Sequence, residues 1–256
     1  MALRMPGEDE TIDAILDGRI KVIQTKGGYR FSLDALLLAY FAQPREGDRL
    51  LDLGTGSGVV ALILAARYRC RQVLGIELQE GLLAMAERSV ALNSLGECLV
   101  VAPGDVRRPE TFCAPSSFDE VVFNPPYRRL RSGRMNPHPE KAMARHEVTG
   151  TAGDFLRAAA FSLREQGRVT AVYPATRLVE LLTQMRVCGL EPKRLQVVHS
   201  LPNGRGEFVL LSGVKGGREA LQVLPPLYVY NRQRRYSEEM IAIFRTLAAF
   251  PGGAGA

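Results

Sequence analysis

The strongest constraint on the fold is a regular alternation of short apolar strands and helical segments that begins at Arg49. Two strands joined through a helix run parallel, because the crossover returns the chain to the same end of the sheet. The pattern predicts an α/β fold, a mostly parallel sheet with helices on both faces. The predicted strands are residues 49–53, 72–78, 98–102, 119–124, 167–173, 194–201 and 207–214, and the predicted helices are 57–68, 80–94, 152–165 and 175–188.

The organisation along the chain predicts one main domain with a small appendage. The length of 256 residues fits that division. A strand at 20–24, a turn at 26–29 and an apolar helical run at 33–41 predict an N-terminal cap, residues 1–48, that packs on the main domain. The main domain is expected at 49–248, with a short strand after Pro225 and a helix at 237–247 capped by Ser237. Residues 249–256, rich in Gly and Ala, are expected to form a flexible tail.

A glycine-rich turn links the first predicted strand of the main domain to its helix, with the sequence Asp52-Leu53-Gly54-Thr55-Gly56-Ser57-Gly58. Glycines allow a tight turn and let a ligand approach the backbone N–H groups, and Ser57 is a candidate helix cap. Glu77 lies near the end of the second strand, where a carboxylate can accept hydrogen bonds from two ribose hydroxyls. Strand, turn, helix, strand and acid thus occur in the order of a nucleotide-binding unit.

The spacing G-x-G-x-G, with Asp52 before it, favours a cofactor without a diphosphate. A carboxylate there would repel a pyrophosphate but can accept a hydrogen bond from an ammonium group. S-adenosyl-L-methionine carries an amino group, a sulfonium and a ribose, and no phosphate. Asp105 follows the third strand and can accept from an adenine amino group, although a helix cap is the simpler explanation of an isolated Asp. We predict this cofactor, with S-adenosyl-L-homocysteine as product, on Asp52, Gly54, Thr55, Gly56, Gly58, Glu77, Leu78, Asp105, Val106 and Asn124.

The fourth predicted strand runs directly into Asn124-Pro125-Pro126-Tyr127, which predicts the catalytic site. Two prolines remove two N–H donors and fix the backbone, so the carbonyl groups of the turn point outward. The side-chain oxygen of Asn124 and the carbonyl of Pro125 can together hold both hydrogens of an NH₂ group on a planar ring. Tyr127 can stack on that ring. The predicted reaction is an in-line methyl transfer that depends on positioning and electrostatics.

Charge and composition limit the partners. Lys and Arg number 33 against 27 Asp and Glu, a net charge of +6 that is compatible with a polyanionic partner such as nucleic acid and equally with a soluble surface. The four cysteines and three histidines show no metal-ligand spacing, so no metal is expected, and free thiols favour a cytoplasmic protein. The longest apolar runs, 35–42 and 59–66, are too short to span a membrane.

Two clusters of arginine are candidate RNA contacts. Directly after the N-P-P-Y turn the sequence holds Arg128, Arg129, Arg131 and Arg134, which can bind phosphates around a flipped or looped-out nucleotide. A second run, 232–235, is as consistent with a solvated face as with RNA binding.

The motifs together resemble those of a known family. D-L-G-T-G-S-G, G-I-E-L, G-D and N-P-P-Y resemble class I S-adenosylmethionine-dependent methyltransferases that modify exocyclic amino groups. The segments 29–39, 144–147, 172–174 and 235–239 look like the tRNA1(Val) adenine-37-N6 methyltransferase family. This resemblance implies a seven-stranded sheet with an antiparallel last strand, methylation of adenosine N6 in tRNA, and closure of Phe31, Ser32 and Asp34 over the methionine end of the cofactor. We expect a monomer or weak homodimer with no obligate protein partner.

Three other functions stay open at this point. A glutamine side-chain amide is also a planar NH₂ group, so a protein (release-factor) glutamine N5-methyltransferase uses the same turn; the 51 residues before Asp52 are fewer than the helical domain of those enzymes needs. A DNA adenine methyltransferase is expected to carry an added target-recognition domain. A catalytically silent RNA-binding module has no need of Asp52, Glu77 and Asn124.

Overall fold

The computed structural model describes residues 6–27, 33–125 and 150–250. In this part of the chain a two-stranded hairpin precedes a nine-stranded sheet flanked by helices. The strands are β1 (Glu10–Ile15), β2 (Ile20–Thr25), β3 (Arg49–Leu53), β4 (Gln72–Glu77), β5 (Leu99–Pro103), β6 (Phe118–Phe123), β7 (Leu163–Pro174), β8 (Leu190–His199), β9 (Gly206–Lys215), β10 (Gln222–Val223) and β11 (Leu227–Tyr228). The helices are α1 (Leu33–Ala42), α2 (Val59–Arg67), α3 (Glu80–Leu92), α4 (Ala152–Ser162), α5 (Leu178–Val187) and α6 (Glu238–Ala248).

The strand order across the sheet is β10-β8-β9-β7-β6-β3-β4-β5, and β11 also pairs with β8. Every strand pair in this sheet is parallel except β7–β9 and β8–β9, so β9 alone runs against the others. The predicted mostly parallel α/β sheet with an antiparallel last long strand is confirmed. The expected count of seven strands differs from the nine observed, because the two-residue strands β10 and β11 extend the β8 edge.

The two faces of the sheet are covered by separate hydrophobic clusters. Successive residues of a strand point to opposite faces; accordingly, in β3 the side chain of Leu50 joins one cluster and that of Leu51 joins the other. The first cluster includes residues of α1, α2 and α6, and the second includes residues of α4 and α5. Helices therefore lie on both faces, as predicted.

The hairpin β1–β2 packs on α3. The prediction contained β2 but missed β1, although Asp17-Gly18 is a typical hairpin turn between two alternating segments. The Arg19 N–H donates to the Leu16 carbonyl at 3.2 Å, and the central residues Asp17 and Gly18 have positive φ angles, 57° and 80°, as a type I′ turn requires. The proposed boundary between a cap at 1–48 and a main domain at 49–248 stays a prediction, and most of the proposed tail lies outside the described residues.

Local details differ from the predictions at two helix ends. Helix α4 ends at Ser162, three residues before the predicted end, and β7 begins at once with Leu163. The N-cap of α2 is Gly58 with φ of 87°, so Ser57 does not cap this helix. Ser237 does cap α6, since its hydroxyl accepts from the Met240 N–H at 3.0 Å. In the residues that the structure describes, every helix is too short or too polar to cross a membrane.

Candidate active site

The candidate site lies where the carboxyl ends of β3, β4, β5 and β6 meet at one edge of the sheet. In open α/β sheets this is the edge at which ligands bind. The glycine turn follows β3, Glu77 ends β4, Asp105 follows β5 and Asn124 follows β6. The parallel register therefore brings together side chains that are far apart in the sequence, such as Asp52 and Asn124, which are 72 residues apart.

The glycine turn is built on positive φ angles. Gly54, Gly56 and Gly58 have φ of 69°, 61° and 87°, conformations that an L-residue with a side chain rarely adopts. At Gly54 a Cβ atom would also come within 3.1 Å of the Phe155 ring on α4. The N–H of Thr55 donates to the Ile76 carbonyl of β4 at 2.9 Å, so the turn is fixed to the neighbouring strand. The sequence analysis did not identify Phe155, because in the sequence it is indistinguishable from any other apolar position of a helix.

Asp52 is buried beneath this turn. Its carboxylate accepts from the Thr55 hydroxyl at 2.6 Å. Burial raises the pKa of Asp52 to about 7; the hydrogen bonds from Thr55 and from the Ala61 backbone lower it, and the charge of Glu77 raises it. The pKa of this carboxyl group therefore lies near neutral pH, and a bound cation would favour its ionised form.

Glu77 joins the turn to β4. One carboxylate oxygen accepts from the Gly56 N–H at 2.9 Å, and the other accepts from the N–H groups of Leu78 and Gln79, both at 2.9 Å. A carboxylate has about four acceptor positions. Three are in use, which leaves at least one for a ribose hydroxyl, and the expected contact with two ribose hydroxyls stays a prediction.

Asp105 follows β5 and is held by an arginine. Its carboxylate accepts from the Arg107 guanidinium at 2.6 and 2.8 Å and from the Arg107 N–H at 2.9 Å. This pairing lowers the pKa of Asp105, so the group is ionised at neutral pH. Val106 beside it is buried, and an adenine amino group would share the carboxylate with Arg107. Arg107 was not predicted, although the spacing Asp105-x-Arg107 is visible in the sequence.

Asn124 is held by a carboxylate from the N-terminal part of the chain. Its side-chain nitrogen donates to Asp34 Oδ2 at 3.1 Å, and the carboxylate of Asp34, which is 4% exposed, also accepts from the Ala35 N–H at 3.1 Å. An ionised carboxylate can only accept hydrogen bonds. Asp34 therefore fixes which end of the Asn124 amide faces α1, and directs the oxygen away from it. Pro125, the next residue, is buried.

The remaining predicted residues lie outside the described part of the chain. They are Phe31 and Ser32 of the segment before α1, Tyr127 of the N-P-P-Y turn, and Arg128, Arg129, Arg131 and Arg134. The structure thus brings together the glycine turn, Glu77, Leu78, Asp105, Val106, Asn124, Pro125 and Asp34 at one edge.

Comparisons with known proteins agree with this arrangement. The profile of the methyltransferase small domain family matches residues 33–185. A tRNA1(Val) (adenine(37)-N6)-methyltransferase of Porphyromonas gingivalis is 30% identical over 198 residues, which cover 75% of this chain and 77% of the relative. A protein of the same description from Tolumonas auensis is 30% identical over 231 residues, 86% of this chain and 90% of the relative.

A solved structure supports the fold. A predicted O-methyltransferase of Agrobacterium tumefaciens has a TM-score of 0.70 and 21% identity, and the match covers 87% of this chain and 100% of that one. The family profile spans the glycine turn, Glu77 and Asn124. The chain therefore belongs to the methyltransferase small domain family and, within it, to the family of tRNA1(Val) (adenine(37)-N6)-methyltransferases.

Proposed function

We propose that this chain is an S-adenosyl-L-methionine-dependent methyltransferase that modifies the exocyclic N6 amine of an adenosine in tRNA, at position 37. The observation that supports this most is the Asn124 amide, held by Asp34 next to the turn that follows Asp52. The two relatives described above carry the name of this activity. Free thiols and a tRNA substrate fit a cytoplasmic enzyme.

The residues at the sheet edge fit the cofactor. Asp52 offers negative charge to a ligand that carries an ammonium and a sulfonium, and an acceptor position left on Glu77 suits a ribose hydroxyl. At Gly56 a Cβ atom would meet no other atom within 4 Å, so a ligand can approach the backbone of the turn at this position. When bound, S-adenosyl-L-methionine supplies an electrophilic methyl group and leaves as S-adenosyl-L-homocysteine.

The chain's own residues then position the amine. The oxygen of Asn124 and the carbonyl of Pro125 accept the two N–H groups of the target base, and Tyr127 stacks on its ring. These two hydrogen bonds favour a pyramidal nitrogen, whose lone pair is available for the methyl group. The Asn124 contact strengthens as the nitrogen becomes positively charged, so the binding energy is expressed in the transition state. No general base is needed before attack.

Methyl transfer to alternative acceptors tests the proposal. Purified protein is incubated with methyl-labelled cofactor and, separately, with bulk tRNA, a peptide-chain release factor or duplex DNA. We expect label in tRNA alone, recovered as N6-methyladenosine in nucleoside mass spectrometry, and loss of that nucleoside from tRNA of a strain that lacks the gene. Label in the release factor or in DNA contradicts the tRNA assignment, and absence of label from every acceptor contradicts catalysis.

A further inference from the structure

A short loop after β11 presents three arginines in one fixed conformation. We call residues 231–235 the arginine loop; it carries Arg232, Arg234 and Arg235, all exposed. The Asn231 side-chain oxygen accepts from the N–H groups of residues 233 and 235 at 3.0 and 3.1 Å. The Asn231 N–H donates to the Arg235 carbonyl at 2.8 Å, and Arg234 has φ of 58°. The backbone is thus ordered before any partner binds.

Aromatic rings close the base of the arginine loop. Tyr230 and Tyr236 form a β-bridge, and their rings stack with centroids 5.3 Å apart. Phe244 of α6 packs edge-on against Tyr236 at 5.0 Å, yet Tyr236 keeps 44% exposure. Arginine beside an exposed aromatic ring is the combination that binds both the phosphates and the bases of single-stranded nucleic acid.

The charges of the arginine loop are not neutralised within the part of the chain that the structure describes. Seven other arginines form ion pairs with Asp or Glu in which nitrogen and oxygen are at most 3.2 Å apart. They are Arg88, Arg107, Arg157, Arg164, Arg168, Arg177 and Arg186. No ion pair is found between the three loop arginines and a described carboxylate, even though Glu238 and Glu239 follow closely in the sequence. The loop therefore carries three positive charges available to an anion.

The arginine loop lies at the edge of the sheet that holds the candidate active site. Strands β6, β7, β8 and β11 are parallel, so the residues after β11 emerge at the same edge as Asn124. Four strand spacings of about 4.8 Å separate β6 from β11 through β7, β9 and β8, or about 19 Å. Arg205, exposed on the turn between β8 and β9, lies between them in this order. At about 3.4 Å per stacked nucleotide, as in B-form DNA, roughly six nucleotides cover the distance.

We propose that the arginine loop, together with Arg205, is a phosphate-binding surface that holds the RNA substrate on the β8 side of the catalytic edge. This inference rests on the proposed function, because it takes the nucleic acid to be the methyl acceptor. The surface contributes affinity and orientation through the RNA backbone, and it does not touch the reacting amine.

A charge-removal variant with a matched control tests the surface. R232Q/R234Q/R235Q removes three charges and leaves the backbone hydrogen bonds of Asn231 in place. The control R45Q/R69Q/R71Q removes three exposed charges just before β3 and β4, at the opposite edge of the sheet. The affinity for tRNA is measured as a function of salt concentration for both variants, for the wild type and for R232K/R234K/R235K.

We expect the loop variant to lower the slope of log affinity against log salt by roughly 2–3, at about 0.7–0.9 per phosphate contact. The control and the lysine variant keep the slope, and cofactor affinity stays unchanged in all four proteins. A loop variant with the wild-type slope, or wild-type protein that does not bind tRNA, overturns the inference. Wild-type protein that binds tRNA with the expected slopes but transfers no methyl group overturns the proposed function and supports the surface.

Discussion

Replacing Asn124 is expected to slow methyl transfer while leaving the binding of cofactor and tRNA nearly unchanged. Removing one positioned acceptor from a developing charge costs about 2.7–4 kcal/mol by analogy with an oxyanion-hole donor, or ~10²–10³ in rate. We expect Asn124→Ala to bind the cofactor and tRNA nearly normally and to transfer the methyl group slower by that factor in single-turnover assays. A variant with a rate within about threefold of the wild type would mean that N-P-P-Y is only a structural turn.

Asp34 is expected to act on the rate through Asn124. Its carboxylate accepts the Asn124 N–H at 3.1 Å, so Asp34→Ala releases the orientation of that amide. We expect a lower single-turnover rate with a smaller change in KM for tRNA. In the double variant with Asn124→Ala the two losses should not add, because the oriented group is already gone. Additive losses in this double-mutant cycle would contradict the positioning role.

The charge state of Asp52 is expected to make cofactor binding depend on pH. Burial raises the pKa of this group to about 7. A cationic cofactor favours the ionised carboxylate, so binding lowers the pKa and releases a proton. Affinity should therefore weaken as the pH falls below about 7, by up to about tenfold per unit. Calorimetry in buffers of different ionisation heat measures the proton release; an Asp52→Asn protein should show neither effect, and a pH-dependent Asp52→Asn protein would contradict the assignment.

Much of the candidate site was predictable at the residue scale, because the ends of parallel strands meet at one edge. Asp52, Glu77 and Asn124 all follow from that rule. The contact between Asp34 and Asn124 joins residues 90 positions apart, and no local pattern encodes it. The number of backbone hydrogen bonds that Glu77 accepts could not be predicted from the sequence either, since it depends on how the glycine turn folds over β4.

At the scale of elements, helix and strand types were predicted better than their ends. Ser162 and Leu163 are both buried, so the junction between α4 and β7 carries no polar boundary, and the exposed polar residues 164–166 fit a last helical turn as well as the start of a strand. In β7 the pairing with β6 shifts between Leu163 and Arg168, and Gln166 in the intervening stretch has φ of 62°. Such an irregularity follows from how the neighbouring strands pair, which periodicity alone does not show.

Several polar contacts attach the β1–β2 hairpin to α3: Arg88 pairs with Glu10 at 2.6 Å, the Ser89 hydroxyl accepts from the Ile23 N–H at 2.9 Å, and Asn93 binds the backbone of Lys21. Asn93 accepts from the Lys21 N–H at 2.9 Å and donates to the Lys21 carbonyl at 2.6 Å, so it satisfies an edge position of β2. We expect Asn93→Ala to lower the free energy of unfolding by about 1–3 kcal/mol and to speed amide exchange in β2. Glu87→Ala, an exposed position on the same helix, is the control. Unchanged exchange in β2 would show that the Asn93 hydrogen bonds do not hold the hairpin on α3.

At the scale of the whole molecule, the sheet separates its functions between its two edges. The carboxyl edge carries the candidate active site, and the amino edge carries a buried ion triad. Arg168 of β7 contacts Asp48 at 2.5 Å and Glu120 of β6 at 2.8 Å, and the Thr170 hydroxyl donates to Glu120 at 3.1 Å. Asp48 precedes Asp52 by four residues along an extended strand, which is about 13 Å. The triad therefore links β3, β6 and β7 without contact to the candidate active site.

Removing the cation of this triad is expected to make stability depend on pH. Burial raises the pKa of Glu120 to about 7, against the lowering effect of Arg168. In Arg168→Met the pKa of Glu120 in the folded state rises further. Above pH 4.5, the ordinary pKa of a glutamate, the unfolded state has released the proton that folded Glu120 still holds. The free energy of unfolding should fall as the pH rises through this range: the variant loses about 3–5 kcal/mol near pH 8 and less near pH 5, where the buried acid is neutral. Urea denaturation at the two pH values measures the loss. R168M/E120M removes the Glu120 charge together with its partner and leaves Asp48, whose carboxylate still accepts from the Arg45 N–H at 2.7 Å, so this variant should recover much of the loss at pH 8. An equal loss for R168M at both pH values would mean that packing around Arg168, and not the Glu120 charge, is what the variant disturbs.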